Sequence, residues 1–411
     1  MTTVSLKILI VGLNHAPEQI GIGPYTAGLA QGLTALGCEV EVVAGKPYYP
    51  EWSARPGPAG VTRSVEGGTT VWRCPHYIPA RPSGLKRIIH YLTFAARSLP
   101  VALSRAGTLR PDVVISIAPA LLAAPVALLA ARKVGAASWL HIQDFEVEAA
   151  VATGLLGDGA AARLAGWIER AILGRFDKVS SISRPMVARA VAKGVHDART
   201  VELRNWAEDS LAVTAAGRAA LRRELGLPDG AVALYSGNLA MKQGIGIIAE
   251  AARVLCHRRD ITFLVCGDGT GRDDLERACD GLDNVLIRDL QPRERLGELL
   301  SLADVHLLPQ IAGAADLVLP SKLTNMLASG RPVVATAARG TALFDEVDGC
   351  GMVTPPGDAA AFASAIEGLI DDADMRAQLG AAAQERARER WSRAAILARF
   401  HDELVAVARR A

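Results

Sequence analysis

Metal, redox and nucleic-acid chemistry all lack their usual marks in this chain of 411 residues. The six cysteines (Cys38, Cys74, Cys256, Cys266, Cys279 and Cys350) are scattered, with no Cys-x-x-Cys pair. That gives neither a zinc-ligand spacing nor a disulfide framework. Cys266 stands in an apolar, strand-like run, where a thiol behaves as a small hydrophobe. Net charge is only +2, so no global electrostatic argument favours a nucleic-acid partner. Nothing in the acidic residues predicts an obligatory divalent metal, and no cofactor is expected. Low-complexity tracts and short internal repeats are missing as well. The chain enters its first strand pattern at Lys7 without a signal-peptide pattern, and a cytoplasmic setting is the expectation.

One local absence carries information of its own. Between Glu66 and Asp112 there is no acidic residue, while Arg73, Arg81, Lys86, Arg87, Arg97, Arg105 and Arg110 are all basic. Ile88, Ile89, Tyr91, Leu92 and Phe94 are interleaved with them. The region 81–110 therefore reads either as a basic amphipathic helix suited to an anionic membrane surface, or as an ordinary helix whose apolar stripe packs on a sheet. The run Val113 to Ala131 carries no charge and is long enough to span a bilayer. It contains Pro119 and Pro125 and opens with a β-branched run, so a buried strand, a proline-containing loop and a helix explain it better.

What is present is a repeated strand–helix alternation. Half the residues are hydrophobic, ample for packed layers, and the length favours two domains. Strand patterns recur at Lys7–Val11, Glu39–Val43, Val113–Ile117, Ser138–Ile142 and Lys178–Ile182. A second series runs through Val232–Ser236, Thr262–Cys266, Val285–Ile287, Val305–Leu308, Val333–Thr336 and Met352–Thr354. Helical patterns between them predict an α/β protein with two doubly wound parallel sheets. The expected domains are residues 1–204 and 218–390, joined by a linker over 205–217, with 391–411 as a terminal helix.

The most informative stretch is Leu317 to Val334, LVLPSKLTNMLASGRPVV. Pro320, Ser321 and Lys322 stand where a turn opens a helix over Leu323–Ser329, which Gly330 stops before the next strand. Unpaired N–H groups and a partial positive charge make a helix start an anion site, and Lys322 adds a full charge. That chemistry suits a diphosphate. Gly21 and Gly23 follow the first strand and allow backbone to approach a ligand closely, or simply make a tight turn. Thr26 stands where a third glycine would complete the dinucleotide-binding fingerprint, so that fingerprint is missing.

These residues carry a resemblance. The PSK-L-x-N-x-L-A-x-G segment resembles the donor motif of retaining, two-domain family 4 glycosyltransferases, in the version seen in colanic-acid-type exopolysaccharide assembly. Matching pieces follow in order: Ile20–Tyr25, Trp72–Pro75, Leu140–Glu146, Asn205 with Trp206, Tyr235–Leu239 with Lys242 to Gly244, and Cys266–Gly269. The resemblance implies the GT-B architecture, two Rossmann-like domains facing a central cleft, with the last helix crossing back to the N-terminal domain. It implies an N-terminal acceptor side and a C-terminal domain for the nucleotide sugar.

By the same resemblance, Gly21, Gly23, Gly237, Asn238, Gly267, Ser321, Lys322, Leu323 and Asn325 are donor-binding residues. Asp144, Lys242 and Asp316 are the catalytic candidates, and His141, Gln143 and Glu146 line the acceptor side. The chain departs from the family pattern where charge is expected. Asn238 stands at the usual arginine, Gln243 at the usual lysine with Lys242 one residue away, and Leu317 and Asn325 at the paired glutamates. Asp144 is the best carboxylate to bond or deprotonate an acceptor hydroxyl. On the residues alone His141 also reads as a core or wall histidine, the blander account.

The expected activity is retaining transfer of a sugar from a nucleoside-diphosphate donor to a lipid-linked exopolysaccharide precursor, at the inner face of the plasma membrane. In front-face displacement of this kind the departing diphosphate helps take the acceptor proton, and the protein contributes position and electrostatics. The subgroup suggests GDP-fucose, although no residue gives a physical reason to choose guanine over uracil. Two alternatives stay open: another GT-B activity such as a nucleotide-sugar epimerase, or a non-catalytic partner in a polysaccharide assembly complex.

Overall fold

The computed structural model describes residues 5–18, 21–55, 57–147, 159–207, 213–240, 243–311, 320 and 322–409. The chain divides into two compact units, Met1–Arg204 with Ala394–Ala411, and Asn205–Arg393.

The first unit holds an eight-stranded sheet. Its strands are β1 (Lys7–Gly12), β2 (Glu39–Gly45), β3 (Thr62–Glu66), β4 (Thr69–Cys74), β5 (Val113–Ala118), β6 (Ala137–Ile142), β7 (Lys178–Ser181) and β8 (Thr200–Glu202). They lie in the order β3-β4-β2-β1-β5-β6-β7-β8. Every residue of β5 and β6 is buried, as strands covered by helices on both faces require. The uncharged run from Val113 thus becomes β5, a short turn at Leu121–Ala123 and the helix Ala124–Val134. No helix among the described residues is long and apolar enough to cross a membrane.

One part of this sheet departs from the parallel expectation. β3 and β4 form an antiparallel hairpin at the edge, and none of β3, β4 and β8 stands among the expected strands. The hairpin turns on Gly67 and Gly68, both in the left-handed region (φ 58° and 81°), the geometry that two-residue hairpins favour. Its alternating exposure fits a half-buried edge strand.

The terminal helix Arg393–Ala408 packs within this first unit. Phe400 stacks on Trp139 with centroids 5.1 Å apart, and Glu403 reaches Lys178 at 3.1 Å. Leu397 fills the place of a side chain at Gly32, where a Cβ would stand only 2.3 Å from it. That close approach accounts for the glycine inside an otherwise regular helix, Gly23–Ala35.

The second unit carries a six-stranded, wholly parallel sheet. Its strands are β9 (Ala231–Asn238), β10 (Ile261–Asp268), β11 (Val285–Arg288), β12 (Val305–Leu308), β13 (Val333–Thr336) and β14 (Gly351–Thr354), in the order β11-β10-β9-β12-β13-β14. Chain order reverses between β9 and β12, and the crevice outside the strand ends at such a reversal is where open α/β sheets bind ligands. Phe263, Val265, Val305, Val334 and Phe362 build one core, and Leu308, Leu323, Leu327, Val333 and Trp391 another.

Candidate active site

In the second unit the chemistry gathers where β9 ends. Lys322 is the first residue of the helix Lys322–Ala328, and its ammonium donates to the Tyr235 hydroxyl at 2.7 Å and to Gln243 Oε1 at 3.4 Å. It also lies 4.0 Å from the Tyr235 ring centroid. Among the described residues no carboxylate bonds to it. Burial, with no compensating negative charge, pushes its pKa down from 10.5 to about 7. The Tyr235 hydroxyl accepts from Lys322 and has Asn238 O and Gln243 Oε1 within donor reach, at 2.7 and 2.8 Å. Gly237 (φ +130°) runs beside the lysine, and a Cβ there would meet Nζ at 3.4 Å. The result is a lysine ammonium on a platform of neutral groups just beyond the end of β9, a chemistry suited to a multiply charged anion.

The glycines of this region divide by role. A Cβ on Gly267 would stand 2.0 Å from Gly237 O, and one on Gly269 2.4 Å from Leu239 O. Both are glycine because the ends of β9 and β10 press together. Gly237 leaves backbone open beside Lys322, whereas Gly267 is explained by packing. Leu323 needs correction more plainly. Its side chain is fully buried in the second core, and its N–H already donates to Pro320 O at 3.0 Å, so it supports the helix rather than lining a ligand. Asn325 is half-buried on the same helix, and Asn238 is exposed at the end of β9. Lys242, Asp316 and Ser321 lie outside the described residues.

In the first unit the end of β1 leads into a loop closed by Glu18. Glu18 Oε1 accepts the N–H groups of Tyr48 and Tyr49 at 3.1 and 3.2 Å, and Oε2 accepts Asn14 Nδ2 at 2.9 Å. Burial raises its pKa. Gly23 permits this arrangement, since a Cβ there would stand 2.9 Å from Glu18 Cβ and 3.0 Å from Oε2. Gly21 (φ +74°) is exposed and turns the chain beside the Tyr49 ring. Glu18 is a residue that sequence reasoning missed. Its signal was its place just ahead of the paired glycines.

Past β6 the acceptor-side candidates separate. His141 is buried. Its Nδ1 pairs with Ser180 Oγ at 2.8 Å, and its Nε2 with Gln143 Nε2 at 3.1 Å. Phe400 covers it edge-on at 5.9 Å between centroids. Burial drops its pKa to about 4, so it is neutral at physiological pH. Ser180 Oγ also accepts Trp139 Nε1 at 2.8 Å. His141 is thus a core residue under the terminal helix, which corrects the expectation that it lines an acceptor.

Glu146 is different. Its Oε2 accepts the Leu121 N–H at 2.7 Å, and its Oε1 is enclosed, with Tyr91 and Asp144 near the carboxyl. Burial first, and the neighbouring Asp144 charge second, raise its pKa. The chain bends to meet it through Ala120, a non-glycine residue at φ 73°. An L-residue held there costs about 1 kcal/mol, and such strain tends to gather at functional sites. Asp144 is half-buried beyond the strand. Among the described residues no group of three or more His, Cys, Asp or Glu side chains could hold a metal ion.

Residues 21–206 match the glycosyl transferase 4-like domain, and residues 230–372 match the glycosyl transferases group 1 family. The chain is 42% identical over 348 residues to WcaI of Escherichia coli strain K12, named as a colanic acid biosynthesis glycosyl transferase, covering 82% of this chain and 85% of that one. Sucrose-phosphate synthase from Thermosynechococcus elongatus superposes with a TM-score of 0.74 at 19% identity, over 99% of this chain and 100% of that one. The Anabaena protein Alr3699/HepE, solved in complex with UDP-glucose, gives 0.70 at 16% identity over 98% and 100%.

Proposed function

This chain belongs to the retaining family 4, group 1 glycosyltransferases of GT-B fold, and we propose that it moves a sugar from a nucleoside-diphosphate donor to a lipid-linked exopolysaccharide precursor. The observation that carries the donor half is Lys322, an ammonium whose partners among the described residues are a phenol and an amide, with no acid. A diphosphate supplies the missing negative charge, and a leaving diphosphate supplies more of it as the glycosidic bond breaks. Stabilisation then grows towards the transition state, which is what accelerates a reaction.

On this reading Ser321 and Lys242 complete the diphosphate grip, with backbone at Gly237 and Asn238 beside it. Asn325 bonds the ribose hydroxyls and Asp316 orients the donor sugar. The first unit takes the acceptor. Asp144 bonds the attacking hydroxyl, whose proton passes to the departing phosphate oxygen. Glu146 and Gln143 shape the acceptor's surroundings, and the Gly21–Gly23 turn offers N–H groups to either substrate. The likeness to the E. coli protein supports a polysaccharide precursor as acceptor, with the basic region 81–110 resting on the cytoplasmic face of the plasma membrane. GDP-fucose is the donor that the subgroup suggests.

The test is direct. Purified protein, a panel of nucleotide sugars and a lipid extract from a polysaccharide-producing bacterium should yield one glycosylated lipid, its anomeric configuration matching the donor's by NMR. An inverted anomer, or no transfer with any donor, would contradict the proposal.

A further inference from the structure

The helix Gly84–Leu109 presents apolar residues on two opposite sides. His90, Phe94, Ser98, Ala102 and Ala106 form a buried row at four-residue spacing. Leu85, Ile88, Ile89 and Leu92 follow the i, i+3, i+4, i+7 pattern of a second stripe, and at about 100° per residue that stripe lies on the opposite side. They are 70%, 42%, 41% and 50% exposed. Among the described residues these four side chains stand exposed rather than in a core. Lys86 and Arg97 flank the stripe, Arg81 precedes it, and all three are exposed. Two other basic residues of the acid-free region are used internally: Arg73 pairs with Glu66 at 2.7 Å and Arg105 with Glu41 at 2.7 Å.

A second helix, Ala160–Leu173, repeats the arrangement. Leu164 and Trp167, one turn apart, are 58% and 63% exposed, with Arg163 and Arg170 exposed beside them. Its one acid, Glu169, is turned inward onto Lys193. Surface charge on this helix is therefore wholly basic.

Topology puts the two stripes on one side. The crossovers β4→β5, β5→β6 and β6→β7 all step in the same direction across the sheet, and right-handed connections place their helices on the same face. Packing agrees. Phe94 and Ala102 of the first helix share a core with Val126 and Ala127 of the helix Ala124–Val134, and that helix's Ala124 and Leu128 share another with Ile172 and Leu173. Each helix runs back from the carboxyl end of one parallel strand to the amino end of the next. Leu85–Leu92, in the first half of one helix, and Leu164–Trp167, reaching the middle of the other, therefore both lie towards the carboxyl ends of the strands, where Asp144 and Glu146 stand.

From this we infer that one face of the first unit is a lipid-binding surface, in which both helices insert apolar side chains into a bilayer while the basic residues contact anionic headgroups. Charge selects this occupant: exposed apolar groups rimmed only by Arg and Lys suit an anionic interface, and an exposed tryptophan suits the headgroup level. The inference rests on the reading above that the acceptor is membrane-borne. It extends that reading from one basic region to a two-helix surface beside the acceptor residues.

The full chain is mixed with vesicles of phosphatidylcholine alone, or of phosphatidylcholine with phosphatidylglycerol, and sedimented. Binding should need the anionic lipid and weaken with added salt. Leu85→Ser with Ile88→Ser should lower partitioning roughly tenfold or more. Brominated lipid should quench tryptophan fluorescence in the parent, and Trp167→Phe should remove most of that quenching. Nucleoside-diphosphate stabilisation, measured without vesicles, should be unchanged in all these variants. Its loss in the parent would strike at the donor reading, not at this surface. The inference is overturned if the parent ignores anionic vesicles at low salt, if Trp167→Phe is quenched as strongly as the parent, or if the same substitutions instead abolish a concentration-dependent dimer.

Discussion

Replacing Lys322 by methionine should strengthen the empty protein and weaken its hold on nucleotide. The side chain keeps its unbranched shape to the ε position and loses the ammonium with its charge. In the folded chain burial brings the lysine from 10.5 to about 7, and at about 1.36 kcal/mol per unit this is at most roughly 5 kcal/mol of penalty on the charged form. The residue is half-buried, so solvent screening cuts the penalty to a few kcal/mol. The sign follows from linkage. Between about 7 and 10.5 the unfolded chain holds the proton and the folded chain has released it, so stability rises with pH through that window. Below about 7 both states are protonated and the penalty is complete. Lys322→Met escapes it, and should be about 1–3 kcal/mol more stable than the parent at pH 7, the gap closing towards pH 10.5.

Binding runs the other way. A diphosphate holds the ammonium charged, and a lost hydrogen bond to a charged group is worth about 1.5–3 kcal/mol, roughly 10- to 150-fold in affinity. The parent should also bind more weakly as pH rises above about 7, because the lysine must regain its proton to bind. Denaturant titrations from pH 6 to 10, with calorimetry of the matching nucleoside diphosphate on both proteins, read every part of this. A methionine variant clearly less stable at pH 7 would mean that the bond to Tyr235 outweighs desolvation. One that bound nucleotide as tightly as the parent would remove Lys322 from the phosphate.

Other consequences can be checked separately. Gly267→Ala should cost roughly 2–4 kcal/mol in denaturant unfolding, because its Cβ would stand 2.0 Å from Gly237 O, a backbone atom that cannot swing aside. Ser180→Ala takes a partner from both Trp139 and His141; stability should fall by about 1–3 kcal/mol while the pH profile of transfer stays put, as it must if His141 is a core residue. Glu146 has a raised pKa, so its contribution is present below the ordinary carboxylate range and is lost as pH rises through its folded value. Glu146→Gln should therefore gain on the parent in thermal melts as pH rises above about 4.5, and lose transfer activity through the acceptor side.

Much of this could be read in the sequence because it is local. A strand, a tight turn and a helix start in one short segment put Lys322 at a helix beginning, and the strand periodicity behind it located most of both sheets. The hairpin β3–β4 also had a local signal, the Gly67-Gly68 pair, but the acid-free basic stretch that follows drew the reading towards charge. Long-range partners were a different matter. That Tyr235 and Gln243 receive Lys322, that Ser180 holds His141, and that Glu18 ties together Tyr48 and Tyr49 depends on which strands are neighbours, and no spacing encodes that. The two sides of the helix Gly84–Leu109 show the same limit. The sequence gathers Ile88, Ile89, Tyr91, Leu92 and Phe94 into one apolar set, and only packing separates buried Phe94 from exposed Ile88 and Leu92.

The most direct test of the central claim is thermal stabilisation of the purified protein by GDP, UDP, ADP, dTDP, NAD and the common sugar conjugates of the nucleotides. Selective ligands raise the melting point by mass action. The account predicts a shift with one nucleoside diphosphate and its sugar conjugates, none with NAD, and loss of that shift in Lys322→Met. No shift with any nucleoside diphosphate, or an equal shift in the methionine variant, would contradict it.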